Sequence, residues 1–389
     1  MFAMANSSGR REARGVSALY FILFLAQGTL IPFLPMWLSE KGLSSAEVAR
    51  LVSLSFLPKL IGNPIVAGIA DQTGALRTLL LVLTCAAFAT FVAYQAAPSF
   101  WLMLVPAVLF NLALSAIFPV TELLAIHVGA RTASGYGPLR LWGSLGFATS
   151  TLLAGASVTQ WSIHSIPLLV LLALATAIVL ACKQPVTVWR TTSGHRAASR
   201  SWRELFGHHE FLFVLGGAAL VQASNGYLYS GSGQFWRQQG HSAMAIGTLW
   251  AVGIFAEVVF FALAGRVVMS LGSVRVLWLA AAMTTLRWLL MSTTASFPLL
   301  CVFQLLQAFT IGANVSAAMA HIGTAATEGF QARAIAIYFA LGMGIFIAIA
   351  INLAEFAVRQ FGWSGFSAMA AFSASAVLIQ TTILWRRRV

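Results

Sequence analysis

The sequence predicts an all-α polytopic membrane protein, with twelve transmembrane helices arranged as two six-helix repeats. Three observations carry that expectation. Of 389 residues, 59% are hydrophobic and 8% are charged, against roughly 25% charged in a soluble domain. Apolar stretches of the ~20 residues needed to cross a bilayer recur twelve times. A pattern of Gly and Arg after the second stretch returns after the eighth, 198 residues further on.

In order, the first six stretches lie near 16–38, 46–69, 78–97, 100–127, 138–159 and 164–182. The first follows Arg10, Arg11 and Arg14, as a signal peptide would. It is too long for one, contains Pro32 and Pro35 and lacks a clear cleavage site, so it reads as a retained first helix. The second and third are joined by Gly68-Ile-Ala-Asp71-Gln-Thr-Gly74-Ala-Leu-Arg77. The fourth carries Asn111, Ser115 and Glu122, and the fifth opens with Arg140. After Lys183 comes a polar gap to Glu210, holding Arg190, Arg196, Arg200 and Arg203 among Ser, Thr and His. It reads as a cytoplasmic linker, with a short basic surface helix over Ser201–Phe206 as one option.

The remaining stretches lie near 211–234, 244–265, 275–294, 298–322, 333–356 and 364–385. The expected organisation is therefore an N-terminal half over 1–182, a linker over 183–210 and a C-terminal half over 211–389. Gly265-Arg-Val-Val-Met269-Ser-Leu-Gly272-Ser-Val-Arg275 repeats the first connection, with Gly272 and Arg275 at the places of Gly74 and Arg77. Parallel repeats of this kind mark one transporter architecture.

A net charge of +13 would suggest nucleic acid in a soluble chain. Here the cations sit in short gaps between apolar stretches, so membrane orientation accounts for them and no nucleic-acid partner is expected. With the N-terminus inside, 17 of the 23 basic residues fall on the cytoplasmic side, which places both termini there. The expected location is the inner membrane. Cys85, Cys182 and Cys301 are scattered over three apolar stretches and form neither a disulfide framework nor a metal spacing.

Charged residues inside apolar helices are the functional candidates, because an unpaired charge in lipid costs several kcal/mol. Glu257 lies in the eighth stretch, in the middle of Trp250–Arg266, about eight residues from the cytoplasmic end, or ~12 Å. Arg287 in the ninth lies about twelve residues in, or ~18 Å. Two long side chains can span that difference in depth. An acid so paired stays ionised until the cation moves or substrate competes for it, which suits proton coupling; a static salt bridge is the structural alternative.

Glu122 and Arg140 form a second pair near the cytoplasmic end, reading as a cavity wall or a gate. Polar stripes add Tyr20 and Gln27 on the first helix, Lys59 and Asn63 on the second, and Asn111 and Ser115 on the fourth. The seventh contributes Gln222, Asn225 and Tyr229. The tenth carries Gln304, Gln307, Asn314 and His321, spaced for one helical face. Tyr338 and Asn352 are expected to share a face of the eleventh. Together these stripes favour a central polar cavity over separate packing contacts.

The connection over 68–77, with Gly68, Asp71, Gly74 and Arg77 in place, resembles the signature loop of the major facilitator superfamily, which implies the major facilitator fold and a gating role for those four residues. Gln72 and Met269 depart from its pattern. Tyr136-Gly-Pro-Leu-Arg140-Leu-Trp142-Gly-Ser-Leu-Gly-Phe147 is similar to the phenylpropionate permease group, as are Gly233-Gln-Phe-Trp236, Ile246-Gly-Thr-Leu-Trp250 and Phe255-Ala-Glu257. That group resembles the lactose permease type of proton symporter, which implies functional roles for Glu122, Arg140, Glu257 and Arg287. The lactose permeases also carry an acid three residues after a tenth-helix His; here that place holds Thr324, so their proton relay does not transfer.

The expected function is secondary active transport by alternating access: proton symport of a small organic solute, with an aromatic carboxylate such as 3-phenylpropionate as the substrate the resemblance implies. Arg140, Arg287 or Lys59 would hold a carboxylate, and Trp142, Trp236 and Trp250 would flank a ring. Sugar or nucleoside symport and drug or metabolite efflux are the alternatives. Gly137-Pro138 lies at the entrance of the fifth helix rather than within it, which disfavours drug–proton antiport. No His-Glu-x-x-His occurs, and Gly143-Ser144-Leu-Gly146 reads as close helix packing rather than a serine nucleophile, so an enzyme is not expected. No cofactor or metal is called for, and a monomer suffices.

Overall fold

In a computed structural model, the structure describes residues 2–73, 75–131, 136–184, 209–325, 331–362 and 364–386. Among the described residues twelve helices are long and apolar enough to cross a membrane. They are α1 (Gly9–Glu40), α2 (Ser45–Ala70), α3 (Leu76–Ala96), α4 (Phe100–Gly129), α5 (Pro138–Gln160), α6 (Ser165–Cys182), α7 (His209–Ser230), α8 (Ala243–Leu271), α9 (Ser273–Ser292), α10 (Phe297–Thr324), α11 (Ile337–Phe361) and α12 (Gly365–Arg386). In lipid only an element that satisfies its own backbone groups can span, and among the described residues no strand is present. The helix of α1 extends back through the arginines to Phe2, beyond the apolar run.

The chain divides into two compact units, one of Met1–Thr192 with Ser242–Ala251, the other of Ser193–His241 with Val252–Val389. The linker expected over 183–210 falls largely on 185–208, outside the described residues. The start of α8 therefore packs with the first unit. Gly247 makes this possible, since a Cβ there would sit 2.2 Å from the Thr151 carbonyl oxygen.

In the first unit α1 lies against α4, α5 and α6, while α4 packs on α2 and α3. The α1–α5 seam closes through glycine. A Cβ on Gly146 would stand 2.2 Å from the Phe21 carbonyl oxygen, and one on Gly28 would stand 2.6 Å from that of Phe147. Gly146 thus serves the close packing that small residues allow in membranes. Helix α2 starts at a capping box between Ser44 and Glu47 and is interrupted at 55–58, where Pro58 offers no backbone N–H. Lys41 closes the turn after α1 by donating to the carbonyls of Gln95 and Ala97 at 2.5 and 2.9 Å, which caps the end of α3.

In the second unit α9 packs on α10 and α12, and α7 packs on α11 and α12. Three of these helices are irregular. The chain turns at 224–225 within α7, where Asn225 donates to the Gln222 carbonyl at 3.0 Å. Helix α10 holds a π-turn at Ala308–Ala313 and α11 another at Leu341–Ile345. Such turns add a residue to the local pitch and recur at functional sites. Each contains a glycine in a tight place: a Cβ on Gly312 would lie 3.1 Å from the Phe260 side chain, and one on Gly342 would lie 3.2 Å from that of Gln222.

The second π-turn overturns the expectation for α11. Tyr338 is fully buried, but Asn352 is exposed and donates to the Ala348 carbonyl of its own helix. The added residue rotates everything after it by about 100°, so residues fourteen apart no longer share a face.

Candidate functional site

The second unit gathers an acid, a cation and several amides from four helices. Arg287 on α9 is fully buried. It donates to Gln304 Oε1 at 2.5 Å and to Thr310 Oγ1 at 3.2 Å, and its Nε has no hydrogen-bond partner. Glu257 on α8 is 8% exposed and accepts a 2.7 Å hydrogen bond from Gln307 Nε2. Gln304 and Gln307 lie one turn apart on α10, so that helix joins the two charges. The sequence expects a direct pair; Arg287 directs its hydrogen bonds to α10, while Glu257 remains within electrostatic range. Tyr229 on α7 is within range of both.

The guanidinium is held from behind. Its Cζ lies 4.1 Å from the centroid of the Trp288 ring. That ring stacks on Phe366 at 5.6 Å and 8°, and its indole N–H donates to Ser224 Oγ at 3.0 Å. The π-turn of α10 carries Thr310, which also accepts from Thr284 at 3.1 Å. A buried guanidinium is costly unless its donors are satisfied, and this one keeps a donor available.

The first unit has the second pair. Glu122 on α4 lies 3.8 Å from Arg140 Nε on α5, and both side chains are partly exposed. Two hydroxyls also donate to this carboxylate: Tyr20 on α1 to Oε2 and Tyr136, just before α5, to Oε1. Burial and the Glu122 hydrogen bond push the Tyr136 hydroxyl well above the ordinary phenol range, so it stays a donor. The Arg140 guanidinium lies over the Phe24 ring at 4.5 Å, a cation–π arrangement.

The other expected residues are distributed as follows. Gln222 Nε2 contacts Met343 Sδ at 3.2 Å. Asn314 ties α10 to α7 and α11 through the Ala218 carbonyl at 2.9 Å and the Tyr338 hydroxyl at 3.2 Å. Asn111 donates to Ala107 O of its own helix, while Ser115 donates to Asn63 on α2. Gln27 is half-buried two turns beyond Tyr20. Lys59 lies 4.3 Å over the Phe56 ring. Trp250 is buried against Phe147 in the first unit, and Trp236 belongs to the aromatic packing around Phe366. His321 stacks on Phe211 at 5.6 Å.

Trp142 does not join Arg140. It is exposed and meets Phe21 edge-on, because two residues along a helix turn about 200°. In the connection after α2, Gly68 and Asp71 stand in the helix Lys59–Thr73. The Asp71 side chain and all of Gly74 lie outside the described residues, and Arg77 is half-buried at the start of α3. Sequence reasoning left out Thr310, Thr284 and Trp288 around Arg287, and Tyr136 beside Glu122. Tyr136 had a signal, as a polar aromatic at the mouth of an arginine-bearing helix; Thr310 had none, because the π-turn presents it.

Twelve spanning helices, with a buried charged cluster in the second unit and a partly exposed one in the first, define a multi-pass membrane transport protein. The chain belongs to the MFS_1 like family, which matches it over residues 14–372, and it is a secondary transporter of the major facilitator superfamily rather than an enzyme. It is 29% identical over 380 residues to the "Probable 3-phenylpropionic acid transporter" of Escherichia coli strain K12, covering 96% of this chain and 98% of that one. It is 32% identical over 336 residues to the "Maltose permease" of Geobacillus stearothermophilus, covering 84% of this chain and 82% of that one. Among solved structures, a variant of the nucleoside transporter NupG superposes with a TM-score of 0.82 at 12% identity, covering 96% and 98% of the two chains. A D-xylose-proton symporter gives a TM-score of 0.71 at 13% identity, covering 94% and 95%. Those two likenesses concern the fold.

Proposed function

We propose that this transporter is a proton symporter that imports a small aromatic carboxylate of the 3-phenylpropionate type by alternating access. The observation that carries the reading is Arg287: a fully buried guanidinium with an unpartnered Nε, within electrostatic range of Glu257. A carboxylate substrate would dock on the guanidinium through charge-assisted hydrogen bonds. It would then neutralise the cation that keeps Glu257 ionised, and Glu257 would take up a proton. Substrate and proton thus bind cooperatively at one site, and the loaded site is neutral enough to reorient through a low-dielectric interior. The similarity to a 3-phenylpropionic acid transporter supports this substrate class.

Glu122, Tyr20, Tyr136 and Arg140 form the corresponding cluster of the first unit, where the Arg140 face would contribute to substrate contact or to gating. In the first unit Gln27, Lys59 and Asn111, and in the second Gln222, Asn225 and Asn314, would offer polar groups to substrate, and the 68–77 connection would serve gating. The arginine distribution supports an inner-membrane orientation with both termini cytoplasmic.

One second reading has an observation behind it. Gln222, Asn225, Gln304, Gln307 and Asn314 place amides in one unit, groups suited to sugar hydroxyls, and a maltose permease is among the relatives. Uptake of labelled 3-phenylpropionate into proteoliposomes separates the two. Saturable uptake blocked by excess aromatic carboxylate and unaffected by maltose is expected. Uptake of labelled maltose with no carboxylate transport would reverse the assignment.

A further inference from the structure

We propose that the groove between the N-terminal end of α1 and the start of α5 binds one anionic phospholipid, with its phosphate on Arg10 and Arg14 and an acyl chain along Phe21, Ile22 and Trp142. The groove encloses about 620 Å³ and is lined by Arg10, Arg14, Ser17, Ala18, Phe21 and Ile22 from α1 and by Pro138, Leu139 and Trp142 from α5. That volume is within the range of small-molecule sites. The α1 residues fall at i, i+4, i+7, i+8, i+11 and i+12, one continuous helical face, with the two arginines at one end and the apolar side chains at the other.

From Arg10 to Ile22 the helix rises ~18 Å, close to the depth of one leaflet with its headgroup layer. The basic end therefore sits at headgroup level while the apolar end lies among acyl chains, which is the polarity of a phospholipid. The groove is turned away from the charged cluster of its unit. Tyr20 and Arg140 meet Glu122 on one side of the α1–α5 seam, and Trp142, 46% exposed, faces the other. Basic pockets between membrane helices recognise anionic headgroups by this chemistry. This site is independent of the transport cycle proposed above.

Native mass spectrometry of the full chain in detergent, titrated with dioleoyl phosphatidylglycerol, tests the proposal. One tightly retained lipid is expected on the wild type, with phosphatidylcholine retained far less. Arg10→Gln with Arg14→Gln should weaken that binding about thirtyfold, the ratio expected for two arginines near an anionic headgroup. Ala18→Phe, which fills the groove but keeps both cations, should also release the lipid. Arg11→Gln, an exposed arginine beside the groove residues in sequence, should leave it bound. Equal retention of phosphatidylglycerol by the double variant would overturn the site, as would equal retention of phosphatidylcholine by the wild type. A full-strength complex in Ala18→Phe would reduce the site to surface charge and overturn the acyl-chain groove.

Discussion

Replacing Glu257 by Gln probes the coupling step with little change of shape. The side chain is nearly buried and holds one 2.7 Å hydrogen bond from Gln307. The amide that takes the place of the carboxylate still accepts that bond through its oxygen, so the loss is the charge component of a hydrogen bond worth about 1.5–3 kcal/mol. The variant should therefore fold and insert. The effect on transport is larger. With one proton carried per carboxylate, the moving complex has no net charge from its cargo, so the pH gradient alone drives accumulation. A gradient of one pH unit is about 1.36 kcal/mol, a tenfold concentration ratio. Proteoliposomes holding the wild type should thus accumulate labelled 3-phenylpropionate about tenfold when the outside is one pH unit more acidic. Glu257→Gln should equilibrate to a ratio of about one while still exchanging internal for external substrate, because exchange needs no net proton movement. Tenfold accumulation in the variant would refute the assignment of Glu257 as the proton carrier.

The remaining predictions concern the groups around the two charged clusters. Arg287→Met removes a fully buried cation from Gln304, Thr310 and the field of Glu257. It should abolish uptake and lower stability by up to about 3–5 kcal/mol; adding Glu257→Gln should restore part of the stability but no uptake, read by thermal unfolding in detergent. Tyr20→Phe deletes one of the two hydroxyl donors to Glu122 and should cost about 1–2 kcal/mol, since the remaining partners stay in place. Gly146→Ala drives a Cβ to 2.2 Å from the Phe21 carbonyl oxygen and should destabilise the α1–α5 seam by about 1–3 kcal/mol, again seen as a lowered Tm. An unchanged Tm in Gly146→Ala would mean that the seam is looser than its geometry indicates.

The twelve spans were legible because burial in lipid imposes one rule, long apolar runs, on every helix. Pairings between distant charges were legible only in depth. Counting residues from the helix ends brought Glu122 level with Arg140, and their side chains do meet at 3.8 Å. The same count brought Glu257 near Arg287 but could not tell that Arg287 bonds Gln304 and Glu257 bonds Gln307, both on α10, since which helices face each other is set by packing. The π-turns left no trace in residue propensity. They hold Gly312 and Gly342, where a Cβ would press on Phe260 and Gln222, and they account for the inward position of Thr310 and the exposure of Asn352. Trp142, two residues from Arg140, lies on the other side of α5 and meets Phe21.

The most direct test of the account is accumulation of labelled 3-phenylpropionate by cells expressing this chain, with and without a protonophore. The account predicts concentrative uptake that collapses when the protonophore removes the proton gradient. Accumulation that is indifferent to the protonophore would contradict proton symport, and an absence of uptake would contradict the substrate.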